Sequence, residues 1–332
     1  MPLDLDTFLS AVYTRIDTLY QTHIAPTLPR RPGPRPRLSD SEVLTIMVIE
    51  QWYGPSQRGV LRWLASRAPT AFPALLSQSA FNRRSRALGA ICARLLLLLA
   101  DTLVLPETPY HLADTTAVPL LHQCRGRTHR LFGDEAGIGR GGSDRQYIYG
   151  MSLLAATDPA GVITGMVVGS AATQERWLLD ALTSWRWHPA SPLLRPDDLP
   201  VSHAAGGGYV GPTGPRWWPE SAGRYFAGPY LVDAGFRGHA WLTAWAQRGQ
   251  ARVVPASQVR GGERRVHHAW RQPIETVFGI LHGTLHLDYP GGRSAWGTVT
   301  RLTAICLAFN LGIWLNRWLG RRDLAHATLF PG

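Results

Sequence analysis

Three carboxylates lie in sequence contexts that could bring them together in the folded chain. Asp114 lies within a strand-like apolar run, and Asp233 ends a second such run immediately before a turn at Gly235. Glu275 lies in a helix-like segment that follows Pro273. Carboxylate oxygens are the ligands that Mg²⁺ prefers, and two divalent ions roughly 3.5–4 Å apart support phosphoryl transfer. The three acids therefore predict a centre that binds two Mg²⁺ or Mn²⁺ ions and acts on phosphodiesters.

Two of these acids also have simpler interpretations. Asp233 is typical of a side chain that caps a turn, and Glu275 is typical of an acid stabilised at a helix N-terminus by about 0.3–1 kcal/mol. Asp114 is harder to explain without a ligand, because aspartate is depleted within strands and an unpaired buried carboxylate is costly. The metal-binding interpretation therefore depends most on Asp114.

The charge of the chain favours a polyanionic partner. The 332 residues carry a formal charge of +11, and all 34 basic residues are arginine. The excess is uneven, since residues 230–332 hold 12 arginines and 5 acids whereas residues 111–229 hold 10 of each. Arginine binds phosphate through two parallel hydrogen bonds, so nucleic acid is the simplest partner. A genome-wide bias against lysine would explain the choice of arginine but not the excess of base over acid.

The cysteine pattern and the apolar segments predict a cytoplasmic protein with no membrane partner. Cys92, Cys124 and Cys306 are far apart and form no paired motif, which fits a reducing compartment. The start of the chain is acidic and lacks the apolar core of a signal peptide. The apolar stretch 302–315 is interrupted by Asn310 and predicts a buried core helix rather than a membrane span.

Residues 1–105 are predicted to be all-helical. A proline- and arginine-rich linker at 26–37 separates a first helix from a second, which begins with the capping-box pattern of Ser39 and Glu42. Further helices are predicted near residues 57–66, 79–86 and 87–104. The basic clusters of this region are Arg58, Arg62, Arg67, Arg83, Arg84 and Arg86. They fit contacts with a DNA backbone and solvated positions on a helical bundle equally well.

Residues 106–332 show strand patterns followed by alternating helices and strands. The predicted strands are 110–121, 147–157, 162–169, 230–233 and 252–255, and the predicted helices are 175–187, 237–247, 273–285 and 295–318. A turn at 158–161 predicts a hairpin, and the stretch 188–228, rich in Pro, Gly and Trp, is interpreted as an irregular insertion. This order predicts an α/β fold of the ribonuclease H-like type, with a mixed sheet flanked by helices.

Four motifs resemble those of the DDE transposases of bacterial insertion sequences, within a likeness that runs from about residue 38 to residue 319. Residues 113–119 resemble the first-aspartate motif, residues 147–151 the second strand, and residues 231–236 the second-aspartate motif. Arg271 and Glu275 have the Arg-x-x-x-Glu spacing of the family. Each motif alone is weak, and the resemblance depends on their order along the chain.

The resemblance implies that Asp114, Asp233 and Glu275 hold two Mg²⁺ or Mn²⁺ ions. It also implies an enzyme that cleaves double-stranded DNA at the terminal inverted repeats of a transposon and joins the freed 3′-hydroxyl to target DNA. A homodimer that holds two transposon ends, at the nucleoid in the bacterial cytoplasm, is expected on the same ground. The architecture is then a helical DNA-binding region at 1–105 and a catalytic domain at 106–332.

The residues expected to contact DNA lie near the motifs, in the helical region and in the insertion. They are Arg83, Arg84, Trp217, Trp218, Arg237, His268, Arg271 and His282. Both histidines stand where related enzymes often carry other residues, a tyrosine and a basic residue. The paired tryptophans fit stacking on an unpaired base or a hydrophobic anchor for the insertion, and the anchor is favoured. Glu175 stands where related enzymes often carry an acid, but a helix-start acid capped by Thr173 is the favoured interpretation.

Three other functions fit parts of this pattern. A ribonuclease H-like nuclease would cut DNA with the same acids without joining it. A relative that has lost catalysis would only bind DNA. A metal-dependent phosphohydrolase of small molecules would share the acids. The basic ends of the chain argue against it, because such charge favours binding to the phosphate backbone of nucleic acid.

Overall fold

The computed structural model describes residues 3–185 and 228–330, apart from residues 30–31, 35, 55, 106, 127, 129–131, 142–145 and 248–250. The predicted insertion therefore lies outside the described residues except for Gly228. The chain divides into two compact units, of which unit 1 contains residues 1–99 and 279–332, and unit 2 contains residues 100–278. This division differs from the two predicted regions, because the C-terminal segment belongs with the N-terminal helices.

Ten α-helices and six strands make up the regular structure of the described residues. The helices are α1 (Leu5–Leu19), α2 (Asp40–Tyr53), α3 (Gln57–Arg67), α4 (Gln78–Ala87), α5 (Gly89–Leu103), α6 (Gln123–Gly126), α7 (Glu175–Trp185), α8 (His239–Gln247), α9 (Glu263–Gly283) and α10 (Ala295–Trp318). The strands are β1 (His111–Leu121), β2 (Gly137–Gly141), β3 (Gln146–Thr157), β4 (Ile163–Ser170), β5 (Gly228–Val232) and β6 (Ala251–Pro255).

Unit 1 is helical and has α2 and α10 at its core, because both helices are apolar around most of their circumference. The predicted capping box of α2 is confirmed: Ser39 Oγ accepts from Glu42 N–H at 3.1 Å, and Ser39 N–H donates to Glu42 Oε2 at 2.6 Å. In the described chain, α10 is the one helix long and apolar enough to cross a membrane, yet 89% of its most apolar window is buried inside the protein. This burial fits the predicted core helix.

Unit 2 contains a mixed, open sheet with the strand order β2-β3-β1-β5-β6, and β4 also pairs with β3. The pairs of β3 with β1, β2 and β4 are antiparallel, whereas β5 is parallel to β1 and to β6. Two different parts of β3, residues 146–150 and 151–157, pair with β2 and β4 respectively. The predicted α/β class with a mixed sheet is confirmed.

The predicted hairpin between β3 and β4 is also confirmed. Asp158 Oδ1 accepts a hydrogen bond from Val162 N–H at 2.8 Å. Gly161 has a φ of 89°, in the left-handed region that favours glycine. The local turn chemistry therefore fixes the register of the hairpin, as the sequence indicated.

Helices cover both faces of the sheet. Ala113 and Tyr230 pack in one apolar cluster with α7 and α8, whereas Leu112 and Leu231 pack in another with Ile274 of α9. Successive residues of a strand point to opposite faces. Consequently α9 covers one face of β1 and β5, and α7 and α8 cover the other.

Two elements differ from the predictions. Residues 137–141, which lie between two predicted strands and were not predicted to form one, form β2 because their backbone pairs with β3. The helix predicted to begin near Pro273 begins at Glu263, and the proline lies inside it. That prediction was wrong because proline is most common at the first helical position, whereas here the residues before it already have helical hydrogen bonds. Arg271, predicted to precede the helix, is therefore part of α9.

Candidate active site

The parallel pairing of β1 and β5 brings two of the predicted acids to the same place. Leu112 of β1 is paired with Leu231 of β5. Extending that register by two residues puts Asp114 beside Asp233, which directly follows the last residue of β5. Because side chains alternate along a strand, Asp114 lies on the α9 face with Leu112, and Thr115 lies on the opposite face.

Asp114 is mostly buried and is held by α9. Its side chain is 17% exposed, and its Oδ2 lies 2.5 Å from Nη2 of Arg271, whose side chain is 9% exposed. The backbone N–H of Thr115 donates to Asp114 Oδ1 at 2.8 Å. Burial raises the pKa of Asp114 to about 7, although Arg271 opposes this shift, and the negative charges of Asp233 and Glu175 add to it. A carboxylate in this setting gains from any further cation.

Glu175 reaches the same site from the opposite face of the sheet. It is the first residue of α7, and its Oε1 accepts a hydrogen bond from Thr115 Oγ1 at 2.7 Å. Burial raises the pKa of Glu175, and the charge of Asp233 raises it further, while the bond from Thr115 lowers it. Glu175 is therefore a third carboxylate of the Asp114 and Asp233 site.

The turn after β5 brings Asp233 and Glu175 close to each other. The backbone N–H of Gly235 donates to Asp233 Oδ1 at 2.6 Å. A Cβ atom added at Gly235 would collide with Glu175 Oε2 and would lie 2.9 Å from Asp233 Oδ1. The absence of a side chain at Gly235 is thus what lets the two carboxylates converge on this turn.

The donor set of this site fits a hard divalent cation. Three carboxylates contribute oxygen atoms, and the pKa of two of them, Asp114 and Glu175, is raised by burial and by mutual repulsion. Arg271 neutralises only part of that charge, and oxygen ligands suit Mg²⁺ and Mn²⁺. In the described ranges, no group of three or more His, Cys, Asp or Glu side chains is arranged to hold a metal ion as the side chains stand. Asp114, Asp233 and Glu175 are the residues that could hold such a cation.

Glu275, the third acid of the sequence motif, has a different environment. It is exposed on α9, one helical turn after Arg271, and residues four apart are neighbours on a helix surface. It therefore lies on the same side of α9 as Arg271. In the described portion of the chain, Glu275 has no hydrogen bond or ion pair with Asp114 or Asp233.

Four of the residues expected to contact DNA lie on α9 or at the turn after β5. Arg271 binds Asp114, whereas His268 is exposed on the same helix. Arg237 is exposed beside Glu175 at the end of that turn. Nδ1 of His282 lies 2.8 Å from Asp288 Oδ1, so part of its hydrogen-bonding capacity is used within unit 1.

Two of the remaining residues expected to contact DNA, Arg83 and Arg84, lie on α4. Arg84 lies 2.5 Å from Asp40 Oδ1 and donates to the carbonyl of Leu38 at 2.7 Å, so its guanidinium joins α4 to the start of α2. Arg83, its neighbour, is exposed. The paired tryptophans Trp217 and Trp218 lie outside the described residues.

Two residues beside the site were not predicted from the sequence. Glu175 was interpreted as a helix-start acid, and the signal that could have identified it was its position directly after the β3–β4 hairpin, one strand from β1. Trp270 was not noticed; it is 49% exposed, and its ring stacks on Tyr110 with the centroids 5.3 Å apart. Because it precedes Arg271, it offers an aromatic surface next to the residue that binds Asp114.

Comparisons with protein-family models, with curated proteins and with solved structures found no match to this chain. The function is therefore inferred from the motifs of the sequence and from the geometry of this site.

Proposed function

We propose that this chain is a DDE-type DNA transposase that cleaves transposon ends with divalent metal ions and joins the 3′-hydroxyl ends to target DNA. The observation that carries the proposal is the convergence of Asp114, Asp233 and Glu175 from three separate elements beside Arg271. Such a set of oxygen donors, with one cation among them, suits phosphoryl transfer. The net charge of +11 supports a nucleic-acid substrate.

The fold supports the same proposal at a coarser level. An antiparallel set of strands, β1, β3 and β4, is followed by the parallel strands β5 and β6 with helices between them. This is the element order expected for a ribonuclease H-like catalytic domain. On that basis we propose that unit 2 has a ribonuclease H-like fold.

Each side chain of the site has a distinct role in the proposed reaction. Asp114 and Asp233 would hold the metal ions, and bound ions would supply Lewis acidity for the attacking water or 3′-hydroxyl and for the leaving oxygen. Arg271 keeps the buried Asp114 carboxylate oriented through its contact with Oδ2. No covalent bond between protein and DNA is needed.

The third acid is the point on which motif and geometry differ. The resemblance assigns this role to Glu275, and the position of Glu175 favours a ligand role for Glu175. We propose that Glu175 holds metal with the two aspartates and that Glu275, one turn from Arg271, completes the site when DNA is bound. Both glutamates are then required for cleavage.

The test is cleavage of a labelled DNA duplex carrying the genomic sequence that flanks the gene, in Mg²⁺ and in Mn²⁺. We expect Asp114→Asn, Asp233→Asn, Glu175→Gln and Glu275→Gln to abolish cleavage while DNA binding persists. Glu263→Gln is the matched control, because this exposed glutamate begins the same helix as Glu275. Wild-type cleavage by either aspartate variant would refute the site.

Two further outcomes refine the assignment. Loss of cleavage in only one glutamate variant would identify which acid is the third ligand. Pre-cut ends that are never joined to target DNA, despite efficient cleavage, would leave a ribonuclease H-like nuclease in place of a transposase. Both outcomes are read on denaturing gels with the same labelled strands.

A further inference from the structure

A polar cavity of about 730 Å³ lies within unit 1. It is lined by residues of α2, α3, α4 and α10 and by the segment 290–294 that leads into α10. Its volume falls in the range of small-molecule sites, roughly 300–1,000 Å³. Unlike most such sites it is predominantly polar, so a ligand rich in hydrogen-bonding groups fits it better than an apolar one.

Three arginines at the wall of the cavity are available for an anion. Arg83 and Arg86 are three residues apart on α4, so they lie on the same side of the helix, and Arg293 immediately precedes the N-cap of α10. All three are exposed and line the cavity. Among the described residues, none of the three has an acidic partner within 4.0 Å. The fixed fork of arginine suits phosphate oxygens in particular.

The floor of the cavity is a fixed polar network. Glu50 is 2% exposed, and its Oε1 lies 2.8 Å from Nη2 of Arg301. Gln57 opposes the rise in the pKa of Glu50 that burial causes, and Asn82 Nδ2 donates to Gln57 Oε1 at 3.0 Å. This bond orients the two amides relative to each other, and amides present the donors and acceptors that read the edge of a nucleobase.

Two helix N-termini add to the preference for negative charge. Ser56, the N-cap of α3, and Ser294, the N-cap of α10, both line the cavity. The N-terminal end of a helix carries a partial positive charge and favours anions. This contribution supports the arginines and does not by itself define a ligand.

From the arginine wall, the amide floor and the volume, we propose that this cavity binds a nucleoside phosphate. The phosphate lies against Arg83, Arg86 and Arg293, and the base lies over the amides of Gln57 and Asn82. The same chemistry is offered by a free nucleotide and by an unpaired nucleotide at the end of a DNA strand. The proposal does not depend on the carboxylate site, because it requires neither metal nor cleavage.

Binding of dAMP and dTMP to the full chain, measured by calorimetry in EDTA, tests this proposal against inorganic phosphate as the reference. We expect both nucleotides to bind, and phosphate to bind at least tenfold more weakly, because it makes no contact with the amides. The double variant Arg83→Gln and Arg86→Gln should weaken nucleotide binding by about 10- to 100-fold for each arginine, as expected for charge-assisted hydrogen bonds. Arg67→Gln is the matched control, since this exposed arginine of α3 lies outside the cavity.

The role of the floor is tested separately. Gln57→Ala should weaken dAMP binding while leaving the weak binding of phosphate unchanged, and circular dichroism would verify that the variant folds. An end-labelled duplex with a single-stranded overhang containing 2-aminopurine distinguishes the two sources of nucleotide. Preferential binding of the overhang over a blunt duplex, lost in the arginine double variant, would assign the site to DNA ends.

Binding of free dAMP with no preference for the overhang would assign the site to a free nucleotide. Equal affinity for phosphate and nucleotides, or unchanged nucleotide affinity in the arginine double variant, would overturn the proposal. Asp114→Asn should retain full nucleotide binding, so a failure of the transposase assignment is distinguishable from a failure of this one.

Discussion

The buried carboxyl group of Glu50 should make the stability of this protein fall as the pH rises from about 4.5 to about 7. Burial raises the pKa of Glu50 from its ordinary value of 4.5 to about 7, against the opposing effects of Arg301 and Gln57. The other charged groups that line the same cavity are Arg83 and Arg86 on α4 and Arg293 just before α10. Because these arginines are exposed to solvent, their charges have little influence on Glu50, which is 2% exposed.

The sign follows from proton binding. Between the two pKa values the folded state holds the proton of Glu50 while the unfolded state has lost it, so raising the pH favours unfolding. The difference is roughly 2.5 pH units, and each is worth about 1.4 kcal/mol, which gives an upper limit of about 3 kcal/mol. This penalty is absent below pH 4.5 and complete above pH 7.

Glu50→Gln should remove this penalty, because glutamine resembles the protonated acid in shape and charge. We expect the variant to match the wild type in unfolding free energy near pH 4.5 and to exceed it by up to about 3 kcal/mol near pH 8. Urea unfolding at several pH values, followed by tryptophan fluorescence and circular dichroism, measures the difference. Glu107→Gln, at an exposed glutamate, is the control and should keep the wild-type slope. If the difference between Glu50→Gln and wild type does not change with pH, the reasoning is refuted.

Three further predictions concern unit 2. Gly235→Ala should reduce cleavage by roughly 10- to 100-fold, the range seen when the groups that orient metal ligands are disturbed, because the new methyl group displaces Glu175. Gly279→Ala is the control, because an added Cβ meets no atom within 4 Å there. Wild-type cleavage by Gly235→Ala would contradict the placement of Glu175. Asp180→Asn should lower the unfolding free energy by about 1–3 kcal/mol. The buried carboxylate accepts hydrogen bonds from two indole N–H groups at 2.9 and 2.7 Å, and an amide cannot accept both equally well. An unchanged urea midpoint would show that these bonds do not contribute to stability. Mg²⁺ should raise the melting temperature, and at a Mg²⁺ concentration one hundred times the dissociation constant the gain in unfolding free energy should be about 2.7 kcal/mol. The effect should vanish in Asp114→Asn. A shift that persists in that variant would place the ion elsewhere.

Local sequence patterns predicted most of the elements of this fold. The capping box at Ser39, the hairpin turn at Asp158 and the apolar circumference of α10 each depend on residues only a few positions apart. Interactions of that range are set by propensity and periodicity, which a single sequence displays. The exception within this class is Pro273, where the hydrogen bonds of the surrounding helix outweighed the preference of proline for a helix start.

The types of the acids, and the strand-end position of Asp233, were likewise determined by the sequence alone. Their partners were decided only by tertiary structure, because the contacts are between distant residues: Thr115 and Glu175 are 60 positions apart, and Arg271 and Asp114 are 157 apart. The same holds for the cavity of unit 1, whose walls come from residues 47–86 and 290–304. No local periodicity encodes which faces of distant elements meet, since that depends on how the whole chain buries its apolar surface.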